Sequence, residues 1–192
     1  MELKHTDLEK LQNQEDILVE QNLHEFAEWL NHLSEIKPKL GLEIGTFRFG
    51  SAELMLNIFP NLELASMDKL SLFTEKDHAT SKTYKGRVAK YGGQLSFLRG
   101  ASQNINQVRK FMDWIGDRRL DFLFIDGTTQ YDGALRDFYT YRSWVRPGGY
   151  IAVKGVYKEN GIKKLWTELK MPQPVKQDPG PWGNYGIGVG IV

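Results

Sequence analysis

The chain has 192 residues, 41% of them hydrophobic and 26% charged, with 25 basic side chains against 24 acidic ones and a formal net charge of +1. That length supports one domain with a real core and not two comfortable ones. The near-zero charge gives no global pull toward nucleic acid or an acidic membrane. The sequence has no cysteine, which excludes disulfides, thiolate metal sites and a cysteine nucleophile together.

Residues 1–15 are polar and poorly periodic and read as a loosely attached leader. They lack the charged-then-apolar form of a signal peptide. No apolar run approaches the ~18 residues of a membrane span, so the expected location is the cytoplasm, with no membrane partner. Between Leu18 and Ile36 the residues Leu23, Phe26, Trp29, Leu30 and Leu33 fall at helical spacing and predict an amphipathic helix, ended near Lys37-Pro38. Phe26 and Trp29 are core residues on this reading. Residues 1–36 thus form a helical extension ahead of a domain over 37–192.

The apolar run Leu40–Ile44 reads as a buried strand. It leads into Gly45-Thr46-Phe47-Arg48-Phe49-Gly50-Ser51, and a helical pattern follows to Phe59. Strand, glycine-bearing turn and helix form the local frame of a nucleotide-type cofactor site. Gly45 permits a sharp turn and lets a ligand lie on bare backbone, and the helix N-terminus favours a negative group. Glu43 is an acid in an apolar strand and needs a partner; a ligand amine would serve. Leu62–Met67 reads as a second strand closed by Asp68, Glu75–Lys90 as a helix stopped at Tyr91-Gly92-Gly93, and Leu95–Arg99 as a third strand. Asn104–Ile115 is predicted helical, Leu120–Ile125 a strongly apolar fourth strand, and Gly133–Val145 another helix. Pro147-Gly148-Gly149 turns into a strand over Tyr150–Val153, and Gly161–Leu169 is a further helix. After a proline-bearing loop, Tyr185, Ile187, Val189 and Ile191 alternate with Gly186, Gly188 and Gly190. A strand of that kind shows bare backbone on one face, where another element packs close.

The alternation of strands and helices predicts an α/β protein with a doubly wound, mostly parallel sheet and helices on both faces. Ligands in such sheets lie at the carboxyl ends of the strands. The chemistry is therefore sought at Gly45–Gly50, Asp68, Gly100–Ser102 and Asp126–Tyr131. A carboxylate at Asp68 can take both ribose hydroxyls of an adenosine cofactor. The first loop lacks the middle glycine of G-x-G-x-x-G, with Phe47 in its place, which disfavours a pyrophosphate. A cofactor with ribose, amine and carboxylate but no phosphate fits better: S-adenosylmethionine.

At this point the chain resembles the class I S-adenosylmethionine-dependent methyltransferases. Glu43 to Ser51 matches their first motif, and Asp68 their ribose-binding acid. Phe124-Ile125-Asp126-Gly127, Tyr131, Asp137 and Pro147-Gly148-Gly149-Tyr150-Ile151 resemble the small-molecule O-methyltransferase and cephalosporin-hydroxylase-like branch, over roughly Leu40 to Val156. The resemblance implies a Rossmann-like, mostly parallel seven-stranded sheet with an antiparallel C-terminal strand, and a methyltransferase acting on a small hydroxylated acceptor. Glu43, Gly45, Thr46, Gly50, Ser51, Asp68, Ser102 and Asp126 would bind the cofactor, and Asp126 and Lys154 would be catalytic. Relatives in that branch often read Ile-Asp-Gly-x-His-x-Tyr after the fourth strand and His-Asp after the fifth. Here the histidine is Thr129 and the second pair is Lys154-Gly155. A divalent cation wants several oxygen ligands, so no metal site is expected.

Blander roles compete at each position. Asp68 and Ser102 could be turn or cap residues, Lys154 a solvated lysine, and Tyr131 and Tyr157 rim residues. The scattered His5, His24, His32 and His78 read as fillers and not ligands. Two other classes stand beside the methyltransferase. One is a cofactor-binding regulatory or scaffold subunit without turnover, prompted by Thr129 and Lys154. The other is a nicotinamide oxidoreductase, for which Thr128, Tyr131, Lys154 and Tyr157 supply residue types without the Tyr-x-x-x-Lys arrangement. The acceptor pocket is expected from the leader, Ser71–Thr83 and 171–181. The terminal strand and the first helix are the surfaces open to a homodimer.

Overall fold

A computed structural model describes residues 2–69, 86–157, 161–170 and 186–192. Its elements, in chain order, are α1 (His5–Glu15), α2 (Leu23–Ile36), β1 (Leu40–Ile44), α3 (Gly50–Ile58), β2 (Glu63–Asp68), β3 (Leu95–Arg99), α4 (Ile105–Ile115), β4 (Leu120–Ile125), α5 (Tyr131–Tyr141), β5 (Val145–Lys154), α6 (Gly161–Leu169) and β6 (Ile187–Ile191). The sheet runs β3-β2-β1-β4-β5-β6. All pairings are parallel except β5 with β6. Order reverses at β1, so the β1–β4 seam is the switch point where the sheet opens to a ligand.

Apolar residues alternate between the two faces of each inner strand. Phe122 and Phe124 of β4 join one core with Leu8, Phe26, Trp29, Leu30 and Met55 from α1, α2 and α3. Leu123 and Ile125 join the other with Phe111, Phe138, Tyr141, Ile162 and Leu165 from α4, α5 and α6. β4 is thus covered on both sides, as its near-continuous apolar sequence requires. Trp29 meets Phe122 edge-on at 5.8 Å and lies over Phe124 at 6.1 Å between ring centres. Gly41 leaves the space that the Phe122 ring fills, since a Cβ there would run into it.

The structure departs from the sequence expectations in several places. Six of the seven expected strands stand among the described residues. Residues 5–15 are not a loose leader but helix α1, which buries Leu8 in the shared core. Its few apolar positions gave too little periodic signal. α2 begins at Leu23 and not Leu18, because Asn22 Oδ1 accepts the His24 and Glu25 amides and fixes the start. That leaves residues 16–22 as an irregular strap. α5 starts at Tyr131 and ends at Tyr141, with a short 3₁₀ turn at Arg142–Trp144. β5 starts five residues early, with Pro147-Gly148-Gly149 accommodated in a break of register between Leu120 and Phe122. The glycine face of β6 has its close neighbour: Gly188 lies under the Trp166 ring of α6. Of the helix expected at Glu75–Lys90, only 86–90 fall within the described residues, and they are helical. Ser71–Thr83 and 171–181 lie outside them.

Candidate active site

The carboxyl ends of β1, β2, β3, β4 and β5 surround a cavity of about 450 Å³, within the ~300–1,000 Å³ of small-molecule sites. Gly45, Thr46, Gly50, Ser51, Asp68, Ser102, Asp126 and Lys154 all line it. Glu43 is the sequence candidate that does not.

The first loop is built on left-handed backbone. Gly45 has φ +91°, and Phe47 and Phe49 have φ +45° and +67°. A Cβ on Gly45 would strike the backbone of Asp126 and Gly127, so glycine here lets the ends of β1 and β4 close up. Phe49 accepts the unfavourable conformation because its ring is buried edge-on against Phe97, at 4.9 Å between centres. Asp68 Oδ2 accepts from the amides of Thr46 (3.0 Å) and Phe47 (2.9 Å), and so ties the loop to the end of β2.

Glu43 is fully buried beneath this loop. It accepts hydrogen bonds from the hydroxyls of Ser51, in α3, and Ser66, in β2 at 2.6 Å. Burial raises its carboxyl to about 7, the Ser51 and Ser66 hydroxyls pull it back, and Asp126 adds to the rise. Its partners therefore come from the protein, and its reach to the cavity runs through Ser51. Gly50 also differs from expectation. A Cβ there would collide with the carbonyl oxygen of Leu18, so its bare backbone makes room for the strap.

Asp126, at the end of β4, receives Gln21 Nε2 at 2.7 Å and Lys154 Nζ at 3.4 Å, both on Oδ2. Burial raises its carboxyl above the usual range, while Lys154 and Gln21 lower it. Among the described residues no three His, Cys, Asp or Glu side chains converge on a metal position. With an ammonium already on Oδ2, the donors around Asp126 do not fit a divalent cation. At the other end Ser102 Oγ donates to Asp137 Oδ1 at 2.6 Å, and the Ser102 carbonyl accepts from the Tyr141 hydroxyl at 2.6 Å. Burial raises the Asp137 carboxyl.

Sequence reasoning missed the strap's share of this site. Leu18, Glu20 and Gln21 line the cavity, and Glu20 pairs with Arg48 at 3.4 Å. A polar residue in an irregular linker carries no periodic signal. The one available sign was the cap residue Asn22, which ends the strap and sets where Gln21 projects.

Parallel strands in 3-2-1-4-5 order, an antiparallel strand at one edge, a glycine-turn loop after β1 and an acid after β2 define the class I methyltransferase fold. The sequence pattern of a family described as "Methyltransferase domain" matches residues 42–154, more than half of the chain. The protein belongs to this methyltransferase family. Among solved structures it is similar to the O-methyltransferase TomG of Streptomyces achromogenes, in complex with S-adenosylmethionine, at 16% identity and TM-score 0.63, covering 98% of this chain and 88% of that one. It is likewise similar to an O-methyltransferase of Bacillus cereus in complex with S-adenosylhomocysteine, at 17% identity and TM-score 0.64, covering 98% and 90%. The uncharacterised protein R132 of Acanthamoeba polyphaga mimivirus is 30% identical over 110 residues, 57% of this chain. The match spans about half (48%) of the length of that curated relative.

Proposed function

We propose that the protein is an S-adenosylmethionine-dependent O-methyltransferase for a small hydroxylated metabolite, working without a bound metal ion. The observation that carries this reading is the single cavity joining the Asp68-anchored loop to the Asp126–Lys154 pair. Family membership and the cofactor complexes of the structural relatives support it.

The residues fit the cofactor. Gly45 and Thr46 offer backbone at the switch point, Asp68 stands where a ribose lies in such folds, and Ser102 borders the far end. Gly50 and Ser51 start α3, whose free amides suit a carboxylate. The bound cofactor supplies an activated methyl group, so the protein's work is alignment and exclusion of water. On this reading Asp126 serves the cofactor directly and the acceptor hydroxyl through Lys154, which it holds. Lys154 would hold the acceptor oxygen as negative charge builds on it. An ammonium in the place a cation would need supports metal-independent transfer.

Calorimetric titration with S-adenosylhomocysteine, with and without Mg²⁺ and with NAD⁺ as a control, tests the reading. Micromolar binding indifferent to Mg²⁺ is expected, followed by methylation within a panel of hydroxylated acceptors. Binding that needs Mg²⁺ would overturn metal independence, and NAD⁺ binding in its place would overturn the cofactor. Binding without turnover across the panel would favour a regulatory subunit, for which the Lys154–Asp126 pair is the supporting feature.

A further inference from the structure

Gln21 lines the cavity and carries an amide oxygen that finds no partner among the described residues. Its Nε2 donates to Asp126 Oδ2 at 2.7 Å. Only the amide nitrogen can face a carboxylate, so this bond also decides where the amide oxygen points. Gln21 Oε1 is buried and has no hydrogen-bond partner among the described residues, a state that costs free energy unless something completes it. On the carboxylate side, Lys154 goes to the same Oδ2. Among the described residues no hydrogen bond is made to Asp126 Oδ1. The Gln21–Asp126 bond holds the two groups side by side in the cavity lining, with Lys154 on the Oδ2 side of the carboxylate.

We propose that Gln21 makes the cavity selective for the amino-acid end of the cofactor, with Gln21 Oε1 and Asp126 Oδ1 together receiving its α-ammonium. The inference rests on the cofactor assignment above. An ammonium carries three hydrogens and a positive charge, and so serves both oxygens at once. A hydroxyl has one hydrogen and would leave one oxygen unsatisfied, and a carboxylate would be repelled. Because Gln21 belongs to the strap, the same contact makes residues 16–22 part of the ligand site.

The test compares S-adenosylhomocysteine with 5′-methylthioadenosine, which keeps the adenosine and the thioether but lacks the aminoacyl end. Both are titrated calorimetrically into the unaltered protein, Gln21→Met and Gln21→Glu. Gln21→Met should weaken S-adenosylhomocysteine by about tenfold, the scale of a lost hydrogen bond to a charged group, and leave methylthioadenosine within about twofold. Gln21→Glu restores an acceptor and should keep the preference for S-adenosylhomocysteine that Gln21→Met loses. Equal weakening of both ligands by Gln21→Met would make Gln21 a structural latch and overturn the proposal. Unchanged S-adenosylhomocysteine affinity in both variants would overturn it as well. If the unaltered protein binds neither ligand, the cofactor assignment itself falls and this inference with it.

Discussion

Asp68 serves the site before any ligand arrives. Its Oδ2 holds two amides of the first loop, so a substitution there loosens the loop as well as removing the proposed ribose contact. Asp68→Ala should weaken S-adenosylhomocysteine by about 1.5–3 kcal/mol; unchanged affinity in a calorimetric titration would remove Asp68 from the site. Glu43 carries a pH dependence. Its folded-state pKa of about 7 stands above the usual 4.5, so the folded protein binds this proton more tightly than the unfolded chain. The contribution to stability is full below about pH 4.5, declines as pH rises, and is lost above about pH 7, a change of about 3 kcal/mol. Glu43→Gln should therefore gain on the unaltered protein between pH 5 and pH 8 in urea unfolding. The same difference at both pH values would contradict the assignment. Asp68 and Asp126 could be read from sequence because each is a carboxylate closing an apolar strand, a placement that demands a role. Glu43 could be seen to need a partner but not which one, since Ser51 and Ser66 reach it from two different elements. Gln21 could not be found, because its partner is 105 residues away.

At the scale of elements, the strap and the glycine loop occupy each other's space. Gly50 lies directly against the carbonyl of Leu18, and the strap is pinned further out by Glu20 on Arg48 and by Arg87 on the Asp16 carbonyl. Gly50→Ala should cost roughly 1–3 kcal/mol of stability, as overpacking does. It should also make residues 16–22 more sensitive to protease in the folded protein. Unaltered stability and cleavage would show that the strap yields without consequence. The loop was legible as a special backbone from its glycines, but the reason for the second glycine was not. A bare Cα suits a ligand or another stretch of chain equally well, and only the fold shows which one is there. The same limit applied to α1, where Leu8 is a single buried anchor and a periodic pattern has little to work with.

At the scale of the whole molecule, β4 is the element on which everything else is assembled. Both cores meet on it, and the cavity opens beside its carboxyl end. A ligand that touches the ends of five strands and the strap stabilises the fold as a unit. S-adenosylhomocysteine at a hundredfold excess over its Kd should add about 2.7 kcal/mol. For a chain of this size that corresponds to a rise in Tm of roughly 5–10 °C; calorimetric melting without a rise would mean the cavity is not the binding site. The class of fold was legible because alternating periods of two and 3.6 leave few architectures. The number of strands was carried by resemblance, and the described sheet has six.

The bond from Gln21 to Asp126 also has a consequence in time. During synthesis the strap leaves the ribosome about a hundred residues ahead of its partner, and chains build structure from the N-terminus as they grow. Until β4 has emerged, Gln21 has no Asp126 to hold it and α2 has no Phe122 or Phe124 to cover. The site is thus sealed by the first part of the chain folding back onto a later one. Chains stalled before residue 120 should release the strap to a brief protease pulse, and chains stalled beyond β5 should protect it. Equal protection at both lengths would mean that α1, α2 and the strap settle without the central strand.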